Sequence, residues 1–242
     1  MRSIVKYFLV LFFILSCLSV NAQSGDTYVT TGGEWIFSFG GTDNDGAIRF
    51  SPVFNFQMNV NKDVNENFGF YSGVAMRNVG FIWDDPDSAQ IRKKFRTYNI
   101  GIPVGLKLGD TNGLMLFGGY ELEIPFNYKE KTFVNEKKED KFSVYFSDRV
   151  PSLYHTLFAG VQFYSGISLK FKYYLTNFHN KSYTEVVNGV EVMPYQNLDS
   201  NVFYISLNFS LFRNTEFHYK KIDRDVSRVS YLDCPGSKKM RN

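Results

Sequence analysis

Past residue 20 this sequence has no apolar run long enough to cross a bilayer as a helix. Such a helix takes about 18 or more consecutive apolar residues, so a helical membrane protein is excluded. Cysteine is scarce, with only Cys17 and Cys234. Removal of a leader would leave one thiol, which cannot form an intramolecular disulfide; Cys234 then stays unpaired or meets another chain. Histidine occurs only at His155, His179 and His218. GxSxG, HExxH, P-loop and clustered Cys/His sets are all missing, so no motif supplies a catalytic centre, a metal ion or a cofactor, and none asks for nucleic acid.

Aromatic residues, by contrast, are abundant, with 25 Phe and 16 Tyr. Girdles at two membrane interfaces would use them. The stretch IRFSPVFNFQMNV gives the clearest pattern. Ile48, Phe50, Pro52, Phe54, Phe56, Met58 and Val60 are apolar, while Arg49, Ser51, Asn55, Gln57 and Asn59 are polar. A period of two predicts one long β-strand with an apolar and a polar face. Unbroken, it would span about 43 Å at roughly 3.3 Å per residue, far beyond the strands of soluble sheets.

Residues 1–22 have the layout of a secretory signal: Arg2 and Lys6, an apolar stretch from Tyr7 to Val20, and the small-residue site Val20-Asn21-Ala22. Ile14-Leu15-Ser16-Cys17 offers an alternative, a lipidation site at Cys17. Eight strands are predicted behind the leader, at Glu34–Gly40, Ala47–Asn61, Phe68–Trp83, Lys94–Gly109, Leu114–Tyr128, Tyr154–Ser165, Ile167–Asn177 and Asn201–Phe212. In the fourth, Tyr98, Ile100, Ile102, Val104, Leu106 and Leu108 form the outward set. In the eighth it is Phe203, Ile205, Leu207, Phe209 and Leu211. Links two, four and six are tight, whereas links three, five and seven are long, as in outer-membrane barrels with short periplasmic turns and longer extracellular loops. The fold class is therefore all-β: a transmembrane, up-and-down antiparallel barrel of eight strands. Ten is the alternative, should the Asn188-Gly189 hairpin and the Phe142–Phe146 segment extend the sheet through the bilayer.

Three local features qualify the pattern. The third strand switches apolar parity around Asn78-Val79-Gly80, which predicts a bulge. Pro103 and Pro125 each remove a ladder donor and predict bulges or breaks in pairing. Past Phe212, the tail Arg213–Asn242 shows no alternation and carries eight Lys/Arg against four acids. It reads either as a solvated end or as a basic periplasmic arm that meets an acidic envelope partner.

An eight-stranded interior is filled by side chains or holds one small ligand. The expected lumen sets Arg49, Arg77, Lys107, Lys170 and Lys172 against Glu121 and Glu123. This reads as a salt-bridged plug; the alternative is a basic site or pathway for an anion. His155 and His179 flank the sixth and seventh strands, and the hairpin between them would bring both to the extracellular rim near Ser152 and Glu185. That pairing states a third reading, acyl transfer on lipid.

The signal ending Asn21-Ala22-Gln23, the strand Tyr98-Asn99-Ile100-Gly101-Ile102-Pro103-Val104-Gly105-Leu106-Lys107 and the final Val202-Phe203-Tyr204-Ile205-Ser206-Leu207-Asn208-Phe209 resemble the small outer-membrane β-barrel proteins of Bacteroidota. That family includes barrels that serve type IX secretion. The likeness lies in lipid-facing scaffold, so it implies the fold, the bacterial outer membrane and its lipid as surroundings, while any link to secretion is analogy. The expected function is a non-enzymatic structural or interaction role through loops and tail. A narrow transport or ligand-binding barrel is the alternative, and a lipid-modifying enzyme comes third.

Overall fold

The computed structural model describes residues 27–41, 47–85, 88, 90–110, 113–187, 189–209, 211 and 212. The leader 1–22 with Cys17, and the tail 213–242 with Cys234 and His218, lie outside the described residues.

Among the described residues twelve strands are formed: β1 Thr27–Gly41, β2 Arg49–Ser51, β3 Phe56–Asn65, β4 Phe68–Asp84, β5 Ile91–Gly109, β6 Met115–Val134, β7 Lys137–Tyr145, β8 Tyr154–Gln162, β9 Ile167–Tyr174, β10 Glu185–Val187, β11 Val190–Val192 and β12 Asn201–Phe209. Each ladder is antiparallel, in the order β1-β3-β4-β5-β6-β8-β9-β12, and β12 pairs back onto β1 from Gly33↔Phe209 to Gly41↔Asn201. The sheet is thus a closed ring of eight, with β2 continuing the β3 position along β1. Ten strands do not cross: β7 returns only along the upper half of β6, and β10 pairs only with β11. Short turns cluster at one end of the ring, here the turn end, and the longer connections at the other, the loop end.

Polarity is inverted relative to a soluble domain. On β5, Ile100, Ile102, Val104, Leu106 and Leu108 face outward and are exposed, while Asn99 and Lys107 point inward and are buried. On β9, Ile167, Leu169, Phe171 and Tyr173 are exposed between buried Ser168, Lys170 and Lys172. Such a molecule needs hydrocarbon as its outer solvent, and the β12–β1 ladder closes the eight-strand ring within it. The fold is a transmembrane β-barrel. Small inward residues make room for large neighbours. A Cβ on Gly105 would come within 2.7 Å of the Tyr71 ring, and one on Gly101 would collide with the Glu121 carboxylate.

Ala47–Asn61 is not one strand. Between β2 and β3 the chain leaves the ladder at residues 52–55, where Pro52 has no donor and Phe54 takes a φ of 62°. Ile36 lies opposite Ser51 and Gly33 opposite Phe56, so five steps on one strand match three on the other. The excess is two residues, so the outward parity of Phe50, Phe56 and Met58 survives the break. Asn55 holds the excursion in place: its Nδ2 donates to the Ser51 carbonyl at 2.8 Å, and its own carbonyl accepts from the Glu34 amide at 3.0 Å.

The bulge expected at Asn78-Val79-Gly80 is absent, since β4 pairs β5 in one register from Ala75↔Gly101 to Asp84↔Arg92. The parity switch reflects the neighbouring excursion instead. Asn78 donates its amide to Asn55 Oδ1 at 2.6 Å and its Nδ2 to the Val53 carbonyl at 3.1 Å. Pro103 sits where β4–β5 pairing lapses between Ser72↔Val104 and Ala75↔Gly101, and Pro125 adjoins the β5–β6 register shift. β6 also outruns its expected end at Tyr128, continuing to Val134 and folding back as β7.

Candidate functional site

The interior is a stack of three layers. In the middle, three carboxylates meet three cations. Glu121 accepts a two-pronged contact from Arg77, Nε to Oε1 and Nη2 to Oε2 at 3.1 Å each, and lies 2.8 Å from Lys172 Nζ. Glu34 receives Lys170 Nζ at 2.5 Å and Tyr204 Oη at 3.1 Å, with Arg77 Nη1 at 3.6 Å. Glu123 pairs with Lys172 and also accepts from Tyr174 Oη at 2.7 Å and Asn99 Nδ2 at 2.6 Å. All six charged side chains are almost wholly buried. Each charge is matched and hydrogen-bonded, the arrangement that offsets the desolvation cost of a buried ion.

The geometry modifies the expected lumen at three points. Glu34, read as the start of its strand, faces inward in mid-barrel. Its parity, opposite to that of outward Trp35, Phe37 and Phe39, is the signal for that placement. Lys107 is remote from the central network and pairs with Asp63 at 2.6 Å near the turn end. Arg49 lies at the loop-end wall, where Nη2 donates to Asn78 Oδ1 at 2.6 Å. With Glu34 and Asp63 included, the lumen is no longer basic. The space bounded by Gln57, Tyr71, Glu121 and Lys170 has no volume for a water-sized sphere.

At the turn end, Leu211 and Phe212 fold into the barrel mouth instead of continuing β12. Leu211 is therefore not a lipid-facing residue; it is 1% exposed. Its carbonyl accepts from Thr30 Oγ1 at 2.8 Å. The Phe212 ring lies 4.9 Å from Tyr71 and 5.0 Å from Phe117.

At the loop end, Val150 and residues 178–183 and 195–200 fold over the mouth. Phe178 donates its amide to the Ser200 carbonyl, Tyr154 Oη donates to the Phe178 carbonyl, and Arg149 Nη2 reaches Glu185 at 2.5 Å. His179 stacks on Tyr195 at 4.3 Å and meets Phe95 edge-on at 4.5 Å. Its Nε2 lies 3.3 Å from Tyr128 Oη, and its Nδ1 lies 3.4 Å from Ser200 Oγ. Tyr128 and Tyr195 both donate to Glu130 Oε2, at 2.8 and 3.1 Å. Burial, then Glu130, pushes the Tyr195 phenol up to about 12. His155, by contrast, is exposed on the outer wall beside Tyr120. The two histidines therefore lie on opposite sides of the sheet and do not share a rim site, because His155, second residue of β8, faces outward whereas the chain after β9 turns inward.

His179 sits above the outward apolar belt. Burial, then Lys93 and Arg149, lowers its pKa from 6.5 to about 3. The folded cap keeps the imidazole neutral while an unfolded chain takes up a proton, so the contribution is complete above pH 6.5 and lost as pH falls toward 3. Amide exchange across Phe178–Ser200 should accelerate over that window, by up to roughly tenfold per pH unit after correction for intrinsic rates. His179→Phe should flatten the trend; an equal slope in both proteins would refute this assignment, since Glu130 is present in each.

No protein-family model and no curated protein matches this chain. Solved structures do. The chain is similar to Ail, the attachment invasion locus protein of Yersinia pestis, at 13% identity over 77% of this chain and 97% of Ail, with a TM-score of 0.34. A second Ail structure, in complex with the heparin analogue sucrose octasulfate, matches with a TM-score of 0.33. Neisserial surface protein A matches at 10% identity over 78% of this chain and all of its own, with a TM-score of 0.35. At those identities and scores the likeness says nothing of what this chain binds.

Proposed function

We propose that this protein is a non-enzymatic integral barrel of the bacterial outer membrane, acting as an interaction module through its loop-end surface. The carrying observation is the filled interior: matched charges at mid-barrel, an aromatic cap at one mouth and Leu211-Phe212 at the other. A barrel so packed supports presentation of surface rather than passage of solute. The exposed β6–β7 hairpin, with Tyr145 at 69% exposure and Phe146 just beyond it at 76%, offers surface to a partner. In this reading residues 1–22 direct export, and Arg213–Asn242 is a periplasmic arm for an envelope partner. The resemblance to small Bacteroidota barrels extends the reading to a place in an envelope or secretion complex.

The purified protein should fractionate with outer membranes, migrate differently boiled and unboiled, and give no stable openings in planar bilayers. Affinity purification from its own envelope, with and without residues 213–242, should recover a partner whose yield falls on truncation of the tail or deletion of β7. Stable conductance would replace this reading with transport, and recovery from the aqueous fraction would remove the membrane altogether.

A further inference from the structure

Immediately above the apolar belt the outer wall carries a cluster of cations. On β5 and β6 the residues following the outward aromatics Tyr98 and Phe126 are Arg96, Lys94, Lys129 and Lys131. The register sets Arg96 opposite Lys129 and Lys94 opposite Lys131, and β7 places Lys141 opposite Lys131. Like charges directly across a ladder repel and destabilise it. Among the described residues none of these five, nor Arg49, forms an ion pair, whereas Arg92 on the same strand is matched by Asp84 at 2.6 Å. Burial and the crowding of Arg96, Lys141, Lys138 and Lys94 hold the Lys131 ammonium below the usual lysine range.

Lys94, Arg96, Lys129 and Lys131 line a groove of about 260 Å³. The groove exists because β2 pairs with β1 alone and leaves a gap toward β4. Arg49 reaches into that gap, anchored on Asn78. Ile48, Phe50 and Ile82 give the groove an apolar flank continuous with the wall below. Cations on one side, an apolar flank on the other and a position at the level of the headgroups together define the chemistry of an amphiphilic anion.

We propose that this groove binds the phosphates of an outer-leaflet lipid headgroup, whose acyl chains run down the adjoining apolar wall. The proposal rests on the membrane reading above and assigns a ligand to one place on the wall. Phosphate oxygens bridging Arg96 with Lys129, and Lys94 with Lys131, would turn two repulsive pairs into charge-assisted hydrogen bonds.

The test uses the full mature chain in non-ionic micelles, titrated separately with bisphosphorylated lipid A, dephosphorylated lipid A and inorganic tripolyphosphate. Bisphosphorylated lipid A should bind about tenfold or more tighter than the dephosphorylated form. The variant K94Q/R96Q/K129Q/K131Q should lose that difference, while K137Q/K181Q should keep it. The boiled-to-unboiled mobility shift, expected unchanged in all variants, separates failure of this site from failure of the barrel. If the quadruple variant loses the shift, R96Q/K129Q decides, with a smaller loss of the same preference. Equal affinity for both lipid A forms would overturn the proposal, as would an undiminished preference in both K94Q/R96Q/K129Q/K131Q and R96Q/K129Q. Tripolyphosphate binding as tightly as the phosphorylated lipid would overturn the lipid as the source.

Discussion

Glu121→Ala should destabilise the barrel by about 3–5 kcal/mol in urea titrations in lipid vesicles, the cost of leaving buried cations unmatched. Glu121 holds Arg77 by two contacts at 3.1 Å and Lys172 by one at 2.8 Å, and Gly101 is kept bare to admit its carboxylate. All three side chains are almost wholly buried, so solvent screens the loss little. Removing the charge from both sides should cost less than the sum of the parts. Glu121→Gln combined with Lys172→Met should therefore cost less than the two single changes added together, although it leaves Glu123 without its lysine, a coupling that a double-mutant cycle measures directly. Additive effects would mean that the ions act independently and the network has been misread. Should Glu121→Ala give too little folded protein to titrate, Glu121→Gln and the double variant suffice, because the coupling and not the absolute loss identifies the network.

The second large effect concerns the turn end. Phe212→Ala should cost about 3 kcal/mol or more, as expected for deleting a buried ring whose cavity cannot collapse. The ring is fully buried against Tyr71 and Phe117, with Lys107 Nζ 5.8 Å from its centre. The comparison residue is Phe146, 76% exposed in the loop after β7, whose change to alanine should stay within about 0.5 kcal/mol. Both variants can be followed by tryptophan fluorescence, since Trp35 packs 5.1 Å from Phe209 near the turn end. Conductance should remain absent in Phe212→Ala because the mid-barrel charges still fill the lumen. Equal stability of the two variants would show that Leu211-Phe212 merely rests on the mouth.

The sequence carried the barrel because a period of two is local: each residue's side of the wall follows from its parity alone. That is why the outward set of β5, that of β12 as far as Phe209, and the inward Arg77, Lys107, Glu121, Glu123, Lys170 and Lys172 are legible from the sequence. Glu34 was not among the expected lumen residues, because it stood at the very start of its expected strand, whereas β1 begins at Thr27. Parity failed where the chain departs from the ladder. Leu211 continues the β12 alternation in sequence but turns inward, since its strand has ended at Phe209. Asn78 breaks parity for a reason on another strand, the excursion at residues 52–55.

Parity names a side and not a height, and partnership needs both. Which cation meets which carboxylate depends on the stagger between strands far apart in sequence, such as Glu34 with Lys170 across the closing β12 ladder. The loops carry no period at all, so nothing local could predict that His179 would be sealed under Tyr195 while His155 faced outward. The sequence alone determined an inside and an outside, because alternation follows from strand geometry. Only the tertiary structure decided which charges pair, what closes each mouth and where the cations gather on the wall, because those depend on register, closure and chain reversal.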